Sequence, residues 1–140
     1  IEKLLAKMTE DEFITSEEAS CVDVAKLADF AGSSLGKRIA ASPHVCREKP
    51  FNLVYEVDGS QALVQGIIDC FFEESDGLVL VDYKTTNVRS EAEFLRRKDE
   101  IASRYALQMD IYRKALEEAT GKHVKEACLY LTNIGEIINC

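Results

Sequence analysis

Two apolar stretches joined by a short turn constrain the fold of this chain more than any other feature of its sequence. Leu63–Phe72 and Leu78–Thr85 are both rich in the apolar and β-branched residues that favour strands. Between them, Ser75 to Gly77 has the composition of a tight turn. The pattern predicts a β-hairpin. The unbroken apolar run Val79 to Val81 predicts that its second strand is covered on both faces.

The predicted hairpin carries charged residues that a buried strand tolerates only if they are paired or bind a metal. Asp82 and Lys84 follow the apolar run at a spacing of two, so both side chains point to the same face. Asp69 ends the segment Gly66-Ile67-Ile68-Asp69 on the first strand. A turn of two or four residues puts Asp69 directly opposite Asp82, with β-carbons roughly 4.5–5.5 Å apart. A three-residue turn or a bulge shifts that register by one.

Two carboxylates at that distance repel each other and raise one pKa unless a cation lies between them. Hard cations such as Mg²⁺ bind oxygen ligands, commonly one or two protein carboxylates together with water and substrate phosphate. We therefore interpret Asp69 and Asp82 as a candidate Mg²⁺ site. Oxygen ligands alone leave Mn²⁺ open as the alternative.

Length and composition indicate an ordinary globular chain. Its 140 residues suffice for one domain with a core, and we expect a helical part over 1–45 and the main core over 46–140. The chain begins with Ile1 and not Met, so we expect a fragment of a longer protein. No apolar run has transmembrane length, and no signal peptide is present. Five scattered cysteines without a CxxC pair argue against a zinc or iron–sulfur site and for a reducing, cytoplasmic location.

The formal net charge of −8 taken alone argues against nucleic acid as a partner. Basic residues are nevertheless concentrated between the hairpin and the middle of the next helix, and a local positive patch can contact phosphates. The candidate DNA-contacting residues are Arg96, Arg97, Arg104 and Tyr105. The alternative is a solvated helix face on which neighbouring acidic residues neutralise the arginines.

The remaining pattern predicts an α/β fold. Helices are expected over 17–30, 34–41 and 91–120, the last with a break near Asp99 as an open alternative. Strands are expected over 51–57, with 46–50 leading into the sheet, then the hairpin, 127–132 and 136–139. This order gives three antiparallel strands, a long helix and a further strand in a mixed sheet flanked by helices. On the long helix Gln108 and Tyr112 share one face, and Tyr105 lies on nearly the same face.

GxxD at 66–69, DYK at 82–84 and a glutamine and tyrosine four residues apart form a specific set, although DxK alone would be weak. The set resembles the PD-(D/E)xK nuclease superfamily, and within it the C-terminal nuclease domains of helicase-nucleases of the AddA and RecB types, AddA more closely. The resemblance also includes Arg47-Glu48-Lys49-Pro50-Phe51 and spans about residues 46–112. It implies a restriction-endonuclease-like core.

The resemblance implies hydrolysis of DNA phosphodiesters, by an exonuclease or endonuclease that needs a divalent metal, in double-strand break repair by homologous recombination. Asp69 and Asp82 match the metal-binding carboxylates, and the backbone carbonyl of Tyr83 would be a further ligand. Lys84 matches the catalytic lysine. The other implied site residues are Gln108, Tyr112 and the accessory acid Glu48.

The implied partners are single-stranded DNA at unwound ends, a helicase domain of the same chain and a second helicase-nuclease subunit. The family's metal-binding histidine has no match here, because His44 and His123 lie in predicted loops. We expect that histidine before Ile1, so the isolated fragment can be inactive. No GxxxxGK[ST] loop is present, so no ATP site is expected in these residues. The alternatives are an inactive nuclease-like module that binds DNA or a partner, and a metal-dependent enzyme acting on another phosphate ester.

Overall fold

The computed structural model describes all 140 residues, which divide into two compact units, Ile1–Ala41 and Ser42–Cys140. The first unit is helical. Its helices are α1 (Glu2–Glu10), α2 (Ser16–Ser20), α3 (Val24–Gly32) and α4 (Ser34–Ala41). The second unit contains five strands and one long helix. These are β1 (Val45–Val57), β2 (Ser60–Glu74), β3 (Gly77–Lys84), α5 (Glu91–Thr120), β4 (Val124–Leu131) and β5 (Glu136–Asn139).

The prediction of one helix over 17–30 was wrong, because two caps divide that stretch. The Thr15 side chain accepts a hydrogen bond from the Glu18 backbone N–H at 3.1 Å and starts α2. The Asp23 side chain accepts one from the Lys26 backbone N–H at 3.1 Å and starts α3. Aspartate and threonine stabilise a helix start by satisfying free N–H groups of the first turn. Their effect here outweighs the helical periodicity on either side.

The five strands lie in one sheet in sequence order, β1-β2-β3-β4-β5. β3 and β4 are parallel, and the other neighbouring pairs are antiparallel. A parallel pair needs a long crossover, which α5 supplies. α5 runs without interruption from its Ser90 cap to Gly121, which takes a left-handed conformation with φ of 67°, so there is no break near Asp99. The α/β class with a mixed sheet is confirmed.

β3 is the central strand of the core. All residues from Leu78 to Asp82 are buried, as the apolar run predicted for a strand covered on both faces. α5 packs over one face of the sheet, where Ile101, Met109 and Leu116 contribute to the main apolar cluster. None of the helices combines the length and the apolar character needed to cross a membrane. The core therefore buries β3 as far as Asp82, and the charged residues lie at that end.

Candidate active site

The antiparallel pairing of β2 and β3 ends next to Asp69 and Asp82. The turn holds two residues, and the ladder runs as far as the pair Cys70 and Val81. The same register puts Asp69 opposite Asp82. In place of a further ladder pair, Asp69 Oδ2 accepts a hydrogen bond from the Tyr83 backbone N–H at 2.9 Å. At Asp69, a hydrogen bond from the backbone to a side chain therefore replaces the backbone pairing.

Asp82 is the one charged side chain of the core, with 1% of its surface exposed. Lys84 Nζ lies 2.6 Å from Asp82 Oδ2, yet neither carboxylate oxygen receives a hydrogen bond of good geometry. Burial raises the pKa of Asp82, the attraction of Lys84 opposes this, and the negative charge of Asp69 adds to it. A buried carboxylate with unsatisfied oxygens is costly for the fold unless something further binds it.

Lys84 is held at both its backbone and its side chain. Its carbonyl oxygen accepts hydrogen bonds from the backbone N–H of Thr132 at 3.0 Å and from the Thr132 hydroxyl at 3.3 Å. Its ammonium lies against Asp82 and 4.5 Å from the centre of the Tyr105 ring on α5. The lysine is therefore fixed between a carboxylate of its own strand and an aromatic face of the covering helix.

Glu48 extends the row of acids onto β1. The flanking pairs Arg47–Cys70 and Lys49–Ile68 belong to one register, which puts Glu48 opposite Asp69. Glu48 itself is omitted from the ladder, has φ of 50° and is exposed. A non-glycine residue in the left-handed region is strained, and such strain concentrates at functional sites. By register, three carboxylates thus occupy one row across β1, β2 and β3.

Gln108 and Tyr112 form a pair on α5, as their spacing predicted. Gln108 Nε2 donates a hydrogen bond to the Tyr112 hydroxyl at 2.8 Å. The Tyr112 ring packs edge-on against Phe51 of β1 with ring centres 5.4 Å apart. The α5 side chain that contacts Lys84 is Tyr105. Sequence reasoning assigned Tyr105 to DNA and missed this contact, although its three-residue offset from Gln108 puts both on the sheet-facing side of the helix.

The predicted DNA-contacting arginines are largely engaged with acids on their own helix. Arg97 pairs with Glu93 at 2.8 Å and with Glu100 at 3.4 Å, and Arg104 pairs with Glu100 at 2.8 Å. Arg96 is exposed. The neutralised helix face described as the alternative is therefore partly present, while the role of these arginines in DNA binding stays a prediction.

The two histidines lie outside the row of acids. His44 is in the loop before β1, and His123 precedes β4, where its Nδ1 lies 2.9 Å from Glu117 Oε1. No three histidine, cysteine, aspartate or glutamate side chains are close enough together to hold a metal ion. The ligand atoms at the end of β3 still fit a hard divalent cation, since they are oxygens and the buried Asp82 carboxylate is partnered by the Lys84 ammonium alone. Asp69, Asp82 and the Tyr83 carbonyl would hold such an ion, with water as further ligands.

A family model described as the PD-(D/E)XK nuclease superfamily matches residues 1–137. The chain belongs to this superfamily. Three curated relatives of this PD-(D/E)XK chain are each named as the A subunit of an ATP-dependent helicase/nuclease. They are 42% identical over 99% of this chain in Thermoanaerobacter sp. strain X514, 40% over 94% in Clostridium novyi strain NT, and 34% over 99% in Bacillus mycoides strain KBAB4.

The chain spans 12%, 11% and 12% of the length of these three relatives. Among solved structures, the crystal structure of SSO0001 superposes with a TM-score of 0.45 and 13% identity, over 99% of this chain and 62% of that one. That likeness is too distant to support an inference. The resemblance to PD-(D/E)xK nucleases and to helicase-nucleases of the AddA type, made from residues 46–112, is confirmed by the family match and the relatives.

Proposed function

We propose that this PD-(D/E)XK domain is the Mg²⁺-dependent deoxyribonuclease of an ATP-dependent helicase-nuclease. It would cleave single-stranded DNA at ends unwound during recombinational repair of double-strand breaks, in the cytoplasm. One observation carries the proposal. A buried carboxylate, Asp82, lies opposite Asp69 and against Lys84, and its oxygens lack the hydrogen bonds that a purely structural aspartate would have.

Asp69, Asp82 and the Tyr83 carbonyl are the proposed ligands. With a divalent ion in place, these groups would gain Lewis-acid polarisation of a phosphoryl oxygen and a neighbouring water of lowered pKa. Lys84 places a compact positive charge beside the ligands, where it can orient the attacking water and offset negative charge on the phosphate. Glu48, next to Asp69 in the row of acids, would orient water on the exposed side of the site.

Side chains of α5, the helix that packs over one face of the sheet, support this arrangement. The hydrogen bond between Gln108 and Tyr112 fixes two polar groups on the face that carries Tyr105. Arg96, Arg97 and Arg104 on the same helix are the proposed contacts to the DNA backbone. The proposed protein partners are a helicase domain in the same polypeptide and a second helicase-nuclease subunit, in keeping with the names of the relatives.

The test is cleavage of linear single-stranded DNA by the protein at its natural length, with Mg²⁺ and with chelator. Asp82→Ala and Lys84→Ala should each abolish Mg²⁺-dependent cleavage. Lys114→Ala, which removes a lysine of α5 that is also engaged with an aspartate, should leave cleavage unchanged. Cleavage that survives either of the first two changes would exclude this site as the nuclease centre.

One observation favours the second candidate, an inactive module that binds DNA or another protein chain. No three metal-ligating side chains are assembled, and Lys84 already neutralises Asp82. Mn²⁺ binding followed by electron paramagnetic resonance distinguishes the two. A nuclease should bind the ion in a manner that Asp82→Ala removes, whereas an inactive module should show no binding that depends on Asp69 or Asp82.

A further inference from the structure

The Lys84 ammonium has two contacts. Only one of them would be weakened if a cation bound to Asp82. One is Asp82 Oδ2 at 2.6 Å, and the other is the Tyr105 ring with its centre at 4.5 Å. We infer that Tyr105 is a positioning residue that holds Lys84 in the site through the face of its ring. This inference rests on the proposed function, because it concerns the same lysine and the same carboxylate.

Asp82 cannot pair with Lys84 as strongly when it also binds a divalent cation. Both are positive, and Asp82 is the one carboxylate within ion-pairing distance of the ammonium. A cation on Asp82 would weaken the ion pair and repel the ammonium, leaving a flexible four-carbon side chain without its anionic partner. The Tyr105 ring remains available, since an aromatic face attracts a cation within about 6 Å of its centre. Lys84 is only 17% exposed, and such an attraction is stronger away from water.

This role differs from the DNA contact that the sequence suggested for Tyr105. The ring is half-buried, and one face is already covered by the ammonium, so a base cannot stack on that face. The contact between Tyr105 and Lys84 is made by the ring, so we assign the ring and not the hydroxyl to this role. A positioning role predicts a lower kcat with an unchanged KM for DNA, whereas a DNA contact predicts a higher KM.

The chain offers a matched control outside the row of acids. Tyr55 on β1 makes the same type of contact with Lys114, whose ammonium lies 4.6 Å from the ring centre. Tyr105→Leu should lower kcat about tenfold with little change in KM, and Tyr105→Phe should restore it, since phenylalanine keeps the ring face. Tyr55→Leu removes the same type of ring contact, together with the hydrogen bond from Tyr55 to Asp110, and should leave both parameters unchanged.

Two further measurements keep the inference testable if Tyr105→Leu folds poorly. Phenylalanine with one, two or three ring fluorines at position 105 keeps nearly the same shape while weakening the negative ring face, so kcat should fall stepwise with fluorine number. Acylation of Lys84, followed by mass spectrometry with and without Mg²⁺, should be slow in the natural protein. In Tyr105→Leu it should be about fivefold faster, with Lys114 in the same sample as the internal reference.

The outcomes separate this inference from the proposed function. A flat fluorine series, an unchanged Lys84 acylation rate, or a raised KM with unchanged kcat in Tyr105→Leu would overturn the positioning role while leaving the nuclease assignment intact. Persistent Mg²⁺-dependent cleavage in Asp82→Ala would instead overturn the assignment of this site as the nuclease centre. A stepwise decline in kcat together with faster Lys84 acylation would establish Tyr105 as the support of the lysine.

Discussion

The chain contains two sets of one lysine, one aspartate and one tyrosine with nearly the same internal geometry. The inner set is Lys84, Asp82 and Tyr105, and the outer set is Lys114, Asp110 and Tyr55. The distances from ammonium to carboxylate are 2.6 Å in the inner set and 2.9 Å in the outer set. Those from ammonium to ring centre are 4.5 Å and 4.6 Å. Residue types and distances alone would make the two sets equivalent.

The two sets differ in how deeply the ion pair is buried and in whether the carboxylate is hydrogen-bonded. The inner lysine and aspartate side chains are 17% and 1% exposed, and the outer ones are 54% and 44% exposed. In the outer set the Tyr55 hydroxyl donates a hydrogen bond to Asp110 Oδ2 at 2.8 Å, and the pKa of Asp110 is lowered by Lys114 and by this bond. In the inner set the carboxylate lacks such bonds, and burial raises the pKa of Asp82.

The difference shows which kind of ion pair suggests function. An exposed pair with satisfied partners contributes little to stability and needs nothing more. A buried pair with unsatisfied oxygens destabilises the fold through a desolvation cost that is not fully offset. Buried groups whose pKa is perturbed in this way concentrate at functional sites. The inner set is therefore the candidate for chemistry, and the outer set serves as its internal control.

The largest expected difference between the two sets is in cleavage. Asp82→Asn keeps the side-chain shape but removes the charge that would bind a cation, so cleavage should fall by at least about 10³-fold, equivalent to ~4 kcal/mol of barrier. Asp110→Asn removes an equally placed charge from the outer set and should leave the rate unchanged. Single-turnover cleavage of single-stranded DNA measures both. Equal effects of the two changes would remove the functional distinction between the sets.

The next difference concerns stability without metal. Lys84→Met keeps the aliphatic chain but leaves the 1% exposed Asp82 without its cation, and breaking a buried pair in this way should cost roughly 3 kcal/mol of unfolding free energy. Lys114→Met breaks an exposed pair and should cause no measurable change. Urea unfolding at neutral pH measures both variants. A stable Lys84→Met protein would show that Asp82 is less dependent on its partner than its burial implies.

A smaller effect distinguishes the two tyrosine hydroxyls. Tyr55→Phe removes the hydrogen bond to Asp110 and should cost about 1 kcal/mol. Tyr105→Phe keeps the ring face that contacts Lys84 and should leave stability unchanged. Thermal unfolding of the two variants beside the natural protein tests this. A loss of stability in Tyr105→Phe alone would contradict the assignment of the ring face as the engaged part of Tyr105.

The inner set shows how far the sequence leads. The run Val79 to Val81 predicted a strand buried on both faces, which follows from local periodicity. The facing of Asp69 and Asp82 was predicted only for a turn of two or four residues, and the structure has a turn of two. The contact of Tyr105 with Lys84 depends on how α5 is rotated over β3. Helical spacing gives the face on which a residue lies but not which strand residue it meets.

Two backbone features also escaped prediction for physical reasons. The left-handed conformation of Glu48 has no sequence signal, because glycine or asparagine is the usual residue there and glutamate takes it only when the surrounding sheet imposes it. The division between α2 and α3 was missed because apolar spacing continues across it, while the Asp23 cap ends that continuity. In both cases local strain or capping outweighed the periodic pattern.

The smallest predicted effect is the pH dependence of the outer set. The lowered pKa of Asp110, caused first by Lys114 and then by Tyr55, means that the unfolded chain binds a proton more readily than the folded one near the ordinary value of 3.8. The stabilisation by this carboxylate is therefore fully present above pH 3.8 and is lost as the pH falls through the lower pKa of the folded state. Since the pair is exposed, the effect should be small and screened by salt.

The difference in Tm between the natural protein and Asp110→Asn should stay constant from pH 6 to about pH 5 and shrink below pH 3.8. A difference that grew on acidification would show that Asp110 is destabilising in the folded state and would reverse the contrast between the two sets.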